Sequence, residues 1–197
     1  MCDKSFAAWV FVVASGLPSA AAWATCPTVP NGTFDSNGAG WSNYAIYDSF
    51  DGQPAGSLQV GPVGAGSCGD ALSDCLPIAA GDDCLLTAEG FVHTAAPTDG
   101  WSYLDLFYYS DPGCSDFLSL SSSAALSSVT QGFWTAMTTG DSVAPATAQS
   151  MKIGYNVCSG SAPLTSNVDN IVLLPALIFE DGFESANTNQ WSSTVSP

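Results

Sequence analysis

Positive charge is almost missing from this sequence. Its 197 residues hold two lysines, Lys4 and Lys152, no arginine and one histidine, His93, against 18 aspartates and glutamates, for a formal net charge of −16. A field of that sign repels phosphate backbones and anionic bilayers, so nucleic acid and charged membranes are poor partners, while cations and neutral ligands are good ones. The histidine shortage narrows the chemistry further. A Ser-His-Asp triad would have to use His93, and no Gly-x-Ser-x-Gly elbow accompanies it, so His93 reads as a surface side chain. Zinc is disfavoured by the same scarcity together with the lack of any Cys-x-x-Cys pair. Sustained 3.6-residue periodicity is also missing and charged helix formers are few, which points away from helices.

The first residues are those of an exported protein. A short polar start, Met1 to Ser5, runs into the apolar stretch Phe6 to Val13 and then the small-residue segment Ala14 to Ala24. This is a signal-peptide layout, with Ala22-Trp23-Ala24 placing the cut before Thr25. The apolar run, interrupted by Gly16 and Pro18, is too short to span a bilayer, so no membrane insertion is expected. Cleavage removes Cys2 and leaves Cys26, Cys68, Cys75, Cys84, Cys114 and Cys158, an even set that suits disulfides outside the cell in a connectivity that sequence does not assign. Asp3 and Lys4 leave together, so the net charge is unchanged and Lys152 becomes the sole lysine. The remainder is long enough for one domain with a proper core.

Glycine, proline, serine, threonine and aromatics dominate, and short strand-like runs alternate with turn clusters. The runs are Ser57 to Val60, Cys84 to Val92, Trp101 to Ser110, Thr130 to Met137, Met151 to Cys158 and Val168 to Leu174. Among the clusters are Gly61-Pro62, Asp99-Gly100, Asp111-Pro112-Gly113 and Thr139-Gly140-Asp141. The spacing predicts an all-β sandwich of two antiparallel sheets. Alternate strand residues face opposite ways, so Leu104, Leu106 and Tyr108 share one face while Trp101, Tyr103, Asp105, Phe107 and Tyr109 share the other. An aspartate among four aromatics is an expensive core resident, which predicts that the second face is a partly open surface. By the same rule Met151, Ile153, Tyr155 and Val157 face inward opposite Lys152 and Asn156, and Leu86 and Ala88 oppose Thr87, Glu89 and Phe91. Trp41 is expected in the core.

Asn31-Gly32-Thr33-Phe34-Asp35 followed by Gly40-Trp41, the stretch Ala144 to Met151, and Val168-Asp169-Asn170-Ile171-Val172-Leu173 occur in this order. Together they resemble carbohydrate-binding modules of the CenC type, which have a galactose-binding-like jelly roll. The resemblance implies a module over residues 25–174 and a C-terminal extension over 175–197. It also implies a structural calcium held by Asp35 and Asp169, which match the family's acidic residue after the opening Phe and its closing-strand aspartate. A turn cap at Asp35 and a backbone hydrogen-bond acceptor at Asp169 are the alternative roles. Asp181-Gly182-Phe183-Glu184-Ser185 and Trp191 resemble a short C-terminal element of exported bacterial proteins, and they echo Phe34-Asp35-Ser36 and Trp41. In that setting the Asn31-Gly32-Thr33 sequon reads as turn chemistry.

The function expected is therefore that of a secreted, non-catalytic protein binding a polysaccharide or other glycan. Its ligand-binding residues would be Trp101, Tyr103, Asp105 and Tyr109, with Trp134 as an additional platform. An extracellular structural or adhesive protein without a sugar site is the second class. A glycoside hydrolase is the third; so many acidic residues always offer some pair and the sequence singles none out, with Glu89 and Asp105 as the only candidates named. The sequence leaves the oligomeric state open.

Overall fold

A computed structural model describes residues 26–48, 56–93, 100–123, 125–127 and 132–176. The expected signal peptide, residues 1–24, and nearly all of the expected C-terminal extension, with its Phe183 and Trp191 echo, lie outside the described residues. The regular elements are all strands: β1 (Trp41–Ser42), β2 (Ile46–Asp48), β3 (Ser57–Val63), β4 (Cys68–Ser73), β5 (Leu76–Pro77), β6 (Asp83–His93), β7 (Trp101–Tyr109), β8 (Phe117–Ser122), β9 (Leu126–Ser127), β10 (Thr135–Val143), β11 (Ser150–Cys158) and β12 (Leu164–Pro175).

They form two antiparallel sheets. The first runs β1-β4-β11-β7-β8, with β5 added to β11 and β9 to β7, and the second runs β10-β6-β12-β3-β2. Apart from the consecutive pairs β2–β3 and β7–β8, neighbouring strands are distant in sequence, so the sheets carry the crossed connections of a jelly roll rather than a meander. Alternation accounts for the core. Leu104, Leu106, Met151, Ile153, Tyr155 and Val157 from the first sheet are fully buried, as are Leu58, Leu86 and Val168 from the second. Burying such side chains removes roughly 1.5–3 kcal/mol of exposure cost each. Two tyrosines bind the layers by their hydroxyls. Tyr108 Oη contacts Ser142 Oγ at 2.8 Å, and Tyr155 Oη donates to the Asn167 carbonyl at 3.1 Å and pairs with Ser166 Oγ.

Three disulfides lock this frame: Cys26–Cys84, Cys68–Cys158 and Cys75–Cys114. The opening segment is held by packing as well. Trp41 is buried, meets Phe34 edge-on at 5.5 Å and donates from Nε1 to the Pro30 carbonyl at 3.2 Å. Gly32 lies so close to β12 that a Cβ there would stand 2.1 Å from the Ile171 carbonyl oxygen, so only glycine fits. Asn31, at φ 50°, donates from Nδ2 to the Asn37 carbonyl at 2.5 Å, which makes the sequon a working turn.

Two expected turns are not turns. Gly61-Pro62 lies inside β3, and Thr139-Gly140-Asp141 inside β10, where the register shifts between Thr138 and Asp141. Both are places where a strand stays paired while taking up an irregular residue, and bulges use the same glycine-rich chemistry as turns. The fourth expected strand, whose first residues Thr130 and Gln131 lie outside the described ones, is seen from Thr135, which leaves Trp134 just ahead of it.

Candidate functional site

β7 lies inside the first sheet, between β11 on one side and β8 and β9 on the other, and its outward residues stand in register with theirs. Trp101 faces Cys158, Tyr103 faces Asn156, Asp105 faces Gly154 and Phe107 faces Lys152. On the far side of β11, Cys158, Asn156 and Gly154 face Cys68, Asp70 and Leu72 of β4. β8 contributes Ser122 beside Asp105, Leu120 beside Phe107 and Phe117 beside Tyr109. At about 3.4 Å per residue the outward column from Trp101 to Tyr109 is roughly 27 Å long, and the strip from β4 to β8 is roughly 14 Å wide.

Trp101 is the most exposed outward residue of β7, at 43 %, and stands in register with Cys158 of the cross-strand Cys68–Cys158 disulfide. Tyr103 and Tyr109 are half-buried. Burial raises both phenols above their ordinary value, and the negative charges of Asp105 and Asp111 respectively add to that. Phe107 leans over Gly154: a Cβ on that glycine would stand 2.7 Å from the ring. Tyr109 and Phe107 both meet Phe117, at 6.1 and 6.4 Å, so this end of the strip is an aromatic cluster and the Trp101 end a free-standing ring.

Asp105 differs from the sequence picture in one respect. It faces outward as expected, yet it is only 4 % exposed. Asn156 Nδ2 donates to its Oδ2 at 2.8 Å and Ser122 Oγ donates to Oδ1. Burial raises the carboxyl above its ordinary value, and the Ser122 hydrogen bond pulls it part of the way back. Asp105 thus clamps β7 to β11 and β8 and fixes the Asn156 amide beside Tyr103. Asn43 Nδ2 to Asp70 Oδ2, at 3.3 Å, extends the polar row across β4. Asn156 was visible in the sequence as an outward residue. Asp70, Ser122 and Phe117 were not, because β4 and β8 lack clean alternation.

Beyond Tyr109 the chain turns back to β8 in a loop closed by Asp111. Its carboxylate accepts from the backbone N–H groups of Asp116 (2.7 Å), Ser115 (2.9 Å) and Gly113 (2.9 Å), and from Ser115 Oγ. These bonds, led by those from Asp116 and Ser115, hold its pKa down at about 2, against an ordinary 3.8. Because the folded value is the lower one, this contribution is complete above the unfolded value and disappears as pH falls from about 4 to about 2. Melting temperature against pH should therefore drop less steeply over that window in Asp111→Asn than in the parent. Parallel curves would show that the loop adds nothing.

Trp134 is not on this face. It packs against Phe91 of β6, ring centroids 5.5 Å apart, on the outer side of the second sheet. Glu89 lies on that side too, paired across strands with Ala136. Glu89 and Asp105 therefore point away from each other across two sheets packed about 10 Å apart, too far to flank one glycosidic bond. His93 is half-buried, its Nε2 2.8 Å from Asn167 Oδ1.

Asp35 and Asp169 belong to adjoining segments, since Ile171 N donates to the Gly32 carbonyl at 2.8 Å. Asp35 is exposed and accepts from Thr33 Oγ1 at 3.0 Å. Asp169 is fully buried and accepts from Asn170 N at 2.7 Å. Among the described residues no group of three or more His, Cys, Asp or Glu side chains is gathered for a metal ion. The oxygen-only donors here are of the kind calcium takes, with backbone and water oxygens needed to fill its shell.

Comparison with solved structures matches this architecture to carbohydrate-binding modules. The CBM22-2 xylan-binding domain from Paenibacillus barcinonensis superposes with a TM-score of 0.55 at 12 % identity, covering 76 % of this chain and 98 % of that one. A family 16 carbohydrate-binding module gives 0.54 at 14 %, over 74 % and 98 %. The CBM22-1–GH10 modules of a Clostridium thermocellum endo-1,4-β-D-xylanase, complexed with xylohexaose, give 0.54 at 16 %, over 76 % of this chain and 28 % of that one. The fold is thus the jelly roll of these modules. No protein-family model matches the chain, and no curated protein matches it.

Proposed function

We propose that the mature chain is an exported, non-catalytic protein that holds a polysaccharide along the outer face of the first sheet. The observation that carries this reading is the column of Trp101, Tyr103, Phe107 and Tyr109 beside the Asn156 amide. Saccharides offer flat C–H faces and rims of hydroxyls; aromatic faces meet the first, and amides and hydroxyls meet the second. Trp101 is the platform, Tyr103 and Asn156 are the hydroxyl partners, and Tyr109 with Phe117 continues the strip. Asp105 acts through Asn156 and Ser122 as a positioning residue. The net charge of −16 favours a neutral ligand. Three disulfides fit an oxidising exterior.

One neighbour of this fold is described as xylan-binding and another was solved with xylohexaose, so xylan is the first probe. In native gels cast with xylan, β-1,4-galactan or mixed-linkage β-glucan, the mature protein should be retarded by at least one polymer and release no reducing sugar. Retardation by none would favour a structural or adhesive surface protein. Sugar release would restore the hydrolase.

A structural calcium is the companion proposal, with Asp35, Asp169 and backbone oxygens tying the opening segment to β12. At a hundredfold excess over Kd, bound calcium adds about 2.7 kcal/mol. EDTA should then lower the melting temperature by several degrees, and Asp169→Asn should abolish the response. An unchanged melting curve in EDTA would remove the metal from the account.

A further inference from the structure

We infer that the chain carries a second saccharide site on the opposite side of the sandwich, on the outer face of β10, β6 and β12, with Trp134 as its platform. The register of β10 against β6 builds it. Ala136 faces Glu89 and Thr138 faces Thr87, and Trp134 packs on Phe91 one step earlier along the same outer face. Two aromatic rings thus stand at one end of a short strip. Next to them the small side chain of Ala136 leaves the strip low, and a hollow of about 450 Å³ opens there, lined by Thr87, Glu89, Ala136, Thr138 and Asn170.

The lining is chemically mixed in the way a sugar requires. Glu89 Oε2 accepts from Asn170 Nδ2 at 2.8 Å, so carboxylate and amide hold each other in place at the edge of the hollow. Two threonine hydroxyls complete the polar rim. Asn170 is brought there by an irregularity in β12, whose register against β6 shifts between Asp169 and Val172 and which gives Asn170 a φ of 51°. Phe133, immediately before Trp134, is 76 % exposed, so this corner holds a second large ring in water. The hollow has no basic lining residue, which argues against an anion; its hydroxyl, carboxylate and amide lining, with the Trp134 and Phe91 rings one step along the same face from Ala136, fits a neutral pyranose. With two faces on opposite sides, one molecule could bridge two polysaccharide chains.

The site stands apart from the first, and its test separates them. Trp101→Ala, Trp134→Ala, Ala136→Arg and the double tryptophan variant are compared by affinity gels in xylan, β-1,4-galactan and mixed-linkage β-glucan. All are first shown to melt as the parent does. Ala136→Arg fills the hollow from an exposed position and meets the Glu89 carboxylate. The second site predicts that Trp134→Ala and Ala136→Arg each weaken retardation on the same polymer on the order of tenfold, whether or not Trp101→Ala does so, and that the parent but neither variant makes that polymer turbid. Loss confined to Trp134→Ala and Ala136→Arg would uphold this site and overturn the first. Parent-like retardation in both variants, or no retardation of the parent by any polymer, would overturn it.

Discussion

Trp101→Ala is expected to weaken retention on the preferred polysaccharide roughly thirtyfold, the loss of about 2 kcal/mol typical of a buried aromatic anchor at a binding surface. The ring is 43 % exposed in the free protein and lies on the outward face of β7, so its removal opens no cavity in the core. Stability should stay within about 0.5 kcal/mol of the parent. That separation is diagnostic. If Trp101 were packing, the variant would melt earlier and bind unchanged. Phe107 gives the contrast: its ring fills the space over Gly154, so Phe107→Ala should cost stability before it costs binding.

The second large effect concerns the bridge itself. Replacing Cys68 and Cys158 together by alanine should lower stability by about 2–5 kcal/mol. For a domain of this size that is a fall in melting temperature on the order of 5–15 °C. The bridge spans 90 residues, against 58 for Cys26–Cys84 and 39 for Cys75–Cys114. Loop entropy therefore ranks it first, although only by about 0.7 kcal/mol over the shortest. Its position adds a second consequence. It joins β4 to β11 in the row that carries Trp101, so its loss should weaken retention as well, whereas removing Cys26–Cys84 should cost stability alone. Equal melting temperatures with and without Cys68–Cys158 would contradict this.

The two strands that build the aromatic face were legible because one side of each is fully buried. Leu104, Leu106 and Tyr108, and Met151, Ile153, Tyr155 and Val157, alternate with polar or aromatic residues, and period-two alternation is what a half-buried strand writes into sequence. The strands that flank them left no such mark. β4 holds one large apolar residue, Leu72, and it faces outward with Asp70; β8 is an edge strand whose residues are all half or fully exposed. Asp70, Ser122 and Phe117 were therefore invisible as site residues. Trp134 illustrates the other limit. Its aromatic character was plain, but the sheet it joins is decided by pairing with β6, some forty residues upstream, and local sequence does not encode such a pairing. The sixfold cysteine set was legible as bridges, while the partners were set by the same long-range register that pairs Cys68 with Cys158.

The central claim is that the outer face of the first sheet is where a glycan lies. Titrating isotope-labelled mature protein with xylohexaose, or with an oligomer of whichever polymer retards it, tests this residue by residue by NMR. The account predicts that the Trp101 indole N–H, the Asn156 side-chain amide and the backbone amides of Tyr103 and Gly154 shift together and saturate with one Kd, while the Trp41 indole in the core stays still. Saturable binding that leaves Trp101, Tyr103 and Asn156 unmoved would contradict it.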